Sequence, residues 1–310
     1  MKPFKSSLKI TVFTFAMLFI ASLSATAQKT AIQLLFPGGK TKAFVFSSDD
    51  GPQQDRRLVA LLNKYQLKGT FHLNSNKLNS SNYLQKEEIK NLFKGHEVSV
   101  HSMNHPGLSG LPPAEIRSEI FGDKLALEKI VGRSVRGMAY PFGNFNDEVV
   151  AIAKTSGMEY ARIVDESRNF SLPSDFLRWK PSVHQFGKAY YEAKNLENDQ
   201  KELAAFNNLT ADFLGSDTLA LYTVWGHSWE LGDSNAKWND LENCFKQIAN
   251  NKAVCALTMI EVVDYLQAYH LLQVSETKHS VFNPSTVTVF VSVAGKTYKM
   301  RPKSSLKLPN

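Results

Sequence analysis

From residue 43 to residue 272, short apolar runs alternate with amphipathic stretches. The apolar runs fall at 43–49, 69–74, 97–101, 135–141, 158–164, 178–184, 219–226 and 253–259, and their β-rich composition predicts strands. Helical periodicity falls near 54–65, 84–94, 113–131, 146–156, 187–214, 236–250 and 260–272. Asn146-Asp-Glu reads as a helix start and Gly157 as a stop. Several runs are apolar throughout, as strands are when both faces are covered. This regular alternation predicts parallel strands joined by crossover helices, in a barrel or an open doubly wound sheet. Residues 285–300 differ: two alternating strands about an Ala-Gly-Lys turn predict a β-hairpin after the last helix, read first as packing against the barrel and second as a glycan contact.

The chemistry gathers where these runs end. Residues 43–52 read Ala-Phe-Val-Phe-Ser-Ser-Asp-Asp-Gly-Pro, a strand that stops on two carboxylates and a turn. Residues 97–105 repeat the plan, ending on His101 and His105. Neighbouring strand residues point to opposite faces, so Asp49 and Asp50 are expected to divide their roles, one holding a metal and the other taking a proton. Two histidines with one carboxylate leave coordination positions open, as catalytic zinc sites do. Tyr140-Pro141-Phe142-Gly143 and His227 end two further runs. All lie at carboxyl ends of predicted strands, where barrel enzymes place their chemistry. His72, His96, His184, His270 and His279 read instead as ordinary core or surface groups. A phosphotransferase is disfavoured, because its aspartates sit two apart to share a face and no phosphate-cradling glycine loop is present.

Residues 1–27 read as a cleavable export signal. Lys2, Lys5 and Lys9 precede an apolar stretch at 10–23 and the small residues Ala25-Thr26-Ala27. The stretch is short for a membrane span, so the expected product is periplasmic or secreted, with no stable span after cleavage. Of 36 basic residues, 33 remain once the three signal lysines are removed, against 29 acidic ones. That surplus, read as spread along the chain, offers no basic stripe for nucleic acid and is compatible with weak attraction to anionic glycans. Cys244 and Cys255 could form one disulfide in an oxidising compartment or remain two buried thiols.

Taken in order, the aspartate pair, His-x-x-x-His, the Pro-aromatic-Gly turn and a late strand ending in histidine resemble the polysaccharide deacetylases of carbohydrate esterase family 4, with the NodB homology domain. Residues 225–230, Trp-Gly-His-Ser-Trp-Glu, suggest a gellan-lyase-like subgroup. The resemblance implies a distorted α/β (β/α) barrel of seven or eight parallel strands over 28–275, with a C-terminal β extension over 276–310. It implies Asp49 as catalytic base and His227 as general acid. It also implies Asp50, His101 and His105 as ligands of a divalent metal ion, most often Zn2+. The resemblance implies the Phe142 backbone N–H as an oxyanion donor and an acetylated carbohydrate as partner; Tyr140, Pro141, Trp225 and Arg178 are read beside it as substrate-binding candidates.

The chain departs from the pattern at four points. Ala139 stands where an arginine usually orients the base, leaving Arg136, Arg162 or Arg178 as replacements. Trp225 replaces a leucine of the acetyl pocket, Ser48 replaces an aromatic, and the usual aspartate near a tryptophan has only Asp175 and Trp179 as candidates. An active deacetylase and a weak or inactive module that binds metal and glycan therefore both remain open. Glu230 is read first as a loop cap.

Overall fold

The computed structural model describes residues 32–186, 196–232, 235–275 and 277–309. The export signal expected at 1–27 and the first part of the helix expected at 187–214 lie outside them. Among the described residues, no helix is long and apolar enough to cross a membrane.

All eight expected barrel strands join one parallel sheet. They are β2 (Lys42–Asp50), β3 (Gly69–Leu73), β4 (Glu97–Val100), β5 (Gly137–Ala139), β6 (Tyr160–Arg162), β7 (Val183–His184), β8 (Ala220–Gly226) and β9 (Val254–Ala256). The order is β6-β5-β4-β3-β2-β8-β7. One edge of β2 is shared, with Lys42 to Phe44 beside β9 and Phe46 to Asp50 beside β3. The stretch read as a strand at 178–184 does two jobs. Trp179 bonds to β6, and Val183 and His184 pair with β8. Pro181 lies between them, so one kinked segment brings the sheet's two ends together.

Crossover helices α1 (Asp55–Lys64), α2 (Lys86–Leu92), α3 (Pro113–Arg117), α4 (Asp123–Val131), α5 (Asp147–Thr155), α6 (Leu196–Gly215) and α7 (Asn235–Asn250) accompany the sheet, and α8 (Met259–His270) follows it. Asn146 caps α5 by accepting from Val149 N, as its sequence suggested. β2 shows how the strands sort their side chains. Phe44 and Phe46 join the larger apolar cluster, with Phe245 of α7, whereas Ala43 and Val45 join a second cluster with Tyr160 and Trp179. Strand registry and two-residue periodicity carry that second face on through Ser47 and Asp49, alongside Thr70, His72, Glu97, Ser99, Arg162 and Thr223. The barrel interior therefore carries polar side chains, with Asp49 and Arg162 at its carboxyl end.

β1 (Ile32–Leu35), which the pattern did not predict, pairs with β12 (Val289–Val293), and β12 pairs with β13 (Lys296–Met300). β12 and β13 are the expected hairpin, turning at Ala294 and Gly295, both with positive φ. β10 (Gln273–Ser275), β11 (Ser280–Asn283) and β14 (Ser304–Lys307) form a second small sheet. The β12 layer packs on α8, where Tyr265 Oη donates to Leu35 O and accepts from Phe290 N. Cys244 in α7 and Cys255 in β9 are separate free thiols.

Glu97 closes the amino end of the barrel. Its carboxylate accepts from Thr70 Oγ1, Tyr160 Oη and the Ile260 N–H at the start of α8. Burial outweighs these donors and pushes its pKa up to about 7 from 4.5. A carboxyl whose folded pKa is raised costs stability progressively as pH climbs from the unfolded value through the folded one. The thermal midpoint of the native chain should therefore fall more steeply between pH 5 and 8 than that of Glu97→Gln; parallel melting curves would contradict this.

Candidate active site

The carboxyl end of β2 sets the geometry. Asp49 continues the strand inward and is buried. Its Oδ2 accepts from Arg162, which is wholly buried at the end of β6. Arg162 also donates to Ser47 Oγ at 3.2 Å and Ile163 O at 3.2 Å, and its guanidinium lies 4.3 Å over the Trp225 ring. Burial alone would raise the Asp49 pKa. Arg162, then His101, His72 and His227, outweigh it and hold the carboxyl well below the usual range.

Asp50 would face away if β2 stayed extended. Instead Asp50 and Gly51 take φ of 77° and 74°, and the chain turns. Asp50 Oδ1 then lies 3.7 Å from His101 Nε2 and 3.5 Å from His105 Nε2. His101 Nε2 is also 3.8 Å from Asp49 Oδ2. The expected separation of the two carboxylates onto opposite faces does not occur, because the turn replaces strand geometry at the second one.

His101 and His105 reach this point through a loop in which Ser102 and His105 both have φ of 63°. Asn74 Nδ2 holds the His101 and Ser102 carbonyls, and Ser102 Oγ accepts from His105 N. His101 Nδ1 is 2.8 Å from Ala139 O. As donor to that carbonyl, the ring presents an unprotonated Nε2 to Asp50. Burial lowers the pKa of both rings, to about 4 for His105, keeping them neutral as metal ligands must be.

The three candidate ligand atoms lie within 4.8 Å of one another, and Asp50 Oδ1 is buried without a hydrogen-bond partner. Tetrahedral zinc with bonds near 2.0–2.1 Å separates its ligands by about 3.3 Å. The residues fit a divalent ion with small adjustments.

At the end of β8, His227 Nδ1 is 3.0 Å from Glu230 Oε1. Glu230 also meets His184 Nε2, Gln185 Nε2 and the His227 N–H. Burial would lower the His227 pKa, but Glu230, by charge and hydrogen bond, raises it to about 9, with Asp49 and Asp50 adding. Glu230 is held well below the carboxylate range, His184 and His227 overcoming its burial. His227 Nε2 faces Asp50 Oδ2 at 3.9 Å, and Trp229 Nε1 donates to that same oxygen at 3.1 Å.

Asp49, Asp50, His101, His105, Tyr140, Phe142, Trp225, His227 and Trp229, with Val164, line one cavity of about 60 Å³. At roughly 10–15 Å³ per water-sized position, it holds about four to six such positions, room for an ion and a small group. Residues 37–161 match the family model described as polysaccharide deacetylase. That stretch resembles the polysaccharide deacetylases over 125 of the 310 residues.

Its sequence is 29% identical over 120 residues to a peptidoglycan-N-acetylglucosamine deacetylase of Bacillus cereus, covering 38% of this chain and 54% of the relative. It is 26% identical over 137 residues to a chitooligosaccharide deacetylase of Bradyrhizobium, covering 43% and 61%. The chain spans only 35% and 43% of two Bacillus subtilis relatives, at 30% and 24% identity. A Mycobacterium smegmatis structure assigned to the polysaccharide deacetylases shares the fold, with a TM-score of 0.58 and 16% identity over 78% of this chain and 96% of that one.

The deacetylase match covers the two aspartates, the histidine pair and the 140–143 turn, but stops before Arg162, Trp225, His227 and Glu230. The latter join the site through the fold. Phe142, with φ of 58°, sets its exposed ring against His105 at 4.4 Å. Tyr140 lines the cavity and donates to Leu177 O. Pro141 is buried behind the turn, outside the lining. Arg178 does not reach the cavity, because Asp147 and Asp175 hold its guanidinium at the surface. Of the three arginines weighed, Arg162 reaches Asp49, whereas Arg136 pairs with Glu159 and Asp264. Glu230 does more than cap its turn, and His184 was missed. The available signal was the i, i+3 spacing of His227 and Glu230, which puts both side chains on one side of a helical turn.

Elemental analysis after metal loading should find one divalent ion per chain, lost in Asp50→Asn and His101→Ala. An unchanged metal content in both variants would dissolve the site. Breaking one partner of a buried ion pair costs about 3–5 kcal/mol, so Arg162→Gln should lower the melting temperature strongly while Arg178→Gln leaves it nearly unchanged.

Proposed function

We propose that this protein removes acetyl groups, N- or O-linked, from a carbohydrate polymer or oligosaccharide, with a divalent ion held by Asp50, His101 and His105. The carrying observation is that this triad, the Asp49–Arg162 pair and the His227–Glu230 pair open onto one small cavity beside a deacetylase-family turn. Zinc is our choice of ion, from the nitrogen and oxygen donors. Such an ion polarises a carbonyl and lowers the pKa of water to about 7.

Asp49, held ionised and oriented by Arg162, accepts the proton of the attacking water; its Oδ1 has no protein partner. His227 is the proton donor. Its Nδ1 is tied to Glu230, leaving Nε2 toward the cavity to protonate the departing sugar nitrogen or oxygen. General acid and base steps are each worth roughly 10²–10⁴-fold. The Phe142 N–H is the proposed donor to the developing oxyanion. Trp225 forms the wall of the acyl pocket. We also propose export through residues 1–27, and, on residues 225–230, placement near the gellan-lyase-like subgroup.

Acetate release from acetylxylan, chitooligosaccharide and peptidoglycan tests this reading. Asp49→Asn and His227→Ala should each lose about 10²–10⁴-fold in kcat while retaining the ion. Glu230→Gln should move the alkaline limb of the pH–rate profile to lower pH, because His227 loses the charge that keeps it cationic. Metal binding with no acetate released across the panel would favour the silent glycan-binding module instead.

A further inference from the structure

The basic surplus is not spread along the chain. Lys278, Lys296, Lys299, Arg301, Lys303 and Lys307 all follow residue 276, and no Asp or Glu does. The preceding 276 residues hold the other 30 basic residues against all 29 acidic ones, close to balance. All six tail cations are exposed. Five of them lie on β13, β14 and the turn between, in a stretch of twelve residues. Both strands are sheet edges, β13 beside β12 and β14 beside β11. Lys307 stands opposite Ser280 and Leu308 N donates to His279 O, which brings Lys278 to the same end of β14. No ion pair forms at any of the six among the described residues, although Lys303 Nζ donates to Pro284 O.

Lysines on an edge strand also prevent edge-to-edge pairing. That purpose does not explain 34 residues free of acid beside a balanced remainder. We infer that this ribbon binds an acidic polysaccharide, so that the substrate polymer carries anionic groups as well as acetyl groups. The inference rests on the proposed carbohydrate chemistry for its choice of glycan over other polyanions. The ribbon shares no residue with the cavity, so it would retain the chain on the polymer while the cavity works on an acetyl group. Attraction between exposed charges is screened over about 8–10 Å at physiological salt, so retention depends on ionic strength.

The test measures binding of the full chain to polygalacturonate and to its fully methyl-esterified form, which keeps the backbone and loses the charge. Polygalacturonate should bind, the ester should not, and affinity should fall on the order of tenfold or more between 50 and 200 mM salt. Replacing all six cations by Gln should abolish binding, and replacing the five lysines by Arg should preserve it, with melting curves confirming that both variants fold. Acetate release from a small soluble acetyl ester should be the same in all three proteins. Equal binding to the ester, undiminished binding by the Gln variant, or tighter binding to duplex DNA or phosphatidylglycerol vesicles would overturn the inference. Salt-dependent binding without any acetate release would instead remove the proposed activity and leave the ribbon standing.

Discussion

The arrangement depends on one buried guanidinium. Arg162 sits fully inside the barrel, where an unpaired charge would be prohibitive. Asp49, Ser47 and the Ile163 carbonyl take its hydrogen bonds, and the Trp225 ring covers its face. These partners come from β2, β6 and β8, so a single charge ties three strands together. The same contact keeps the Asp49 carboxyl ionised against burial. A structural necessity and a chemical one are met by the same pair.

The two aspartates show why strand geometry stops being a guide at a strand's end. Alternation holds through Asp49, whose side chain follows Val45 and Ser47 inward. At Asp50 the backbone enters the left-handed region, uncommon outside glycine but tolerated by aspartate. The turn swings Asp50 to the histidines, and Gly51 follows with positive φ tight against Leu73. Positive φ at Ser102, His105 and Phe142 does the same for the other rim segments. Among the described residues, four of the eleven non-glycine positions with positive φ lie on this rim, where side chains from different strands meet.

Much of this was legible in the chain. Hydrophobic runs located every barrel strand, because a strand covered on both sides is apolar over several residues. The histidine and aspartate clusters were legible because they lie next to one another in sequence. Arg162 was harder to read: it lies in a three-residue strand, and only the registry of β6 against its neighbours turns it inward. His184 and Glu230 were read as ordinary groups because their partnership spans 46 residues and closes only when β7 and β8 pair. The strands β1, β10, β11 and β14 are short and partly exposed, and their pairing partners lie elsewhere in sequence, so local pattern carried little signal. The charge asymmetry of the tail was present in the composition, but it gains meaning from the two edge strands that display it.

Residues 225–230 join the two halves of the site. Trp225 packs on Arg162, and His227 aims at the cavity. Ser228 Oγ donates to buried Asp55 at the start of α1, and Trp229 Nε1 donates to Asp50. Glu230 turns back onto His227. The turn after β8 is thus fastened to the end of β2 at two points, Asp50 and Asp55, about 170–180 positions earlier in sequence. Since the Asp50 carboxylate receives the Trp229 indole on one oxygen, its other oxygen is left to face His101 and His105. The proposed proton donor and the proposed metal ligands therefore share a side chain, and the ligand geometry of Asp50 depends on a residue far from the histidines in sequence. Trp229 is, in the fold, the group that orients the carboxylate.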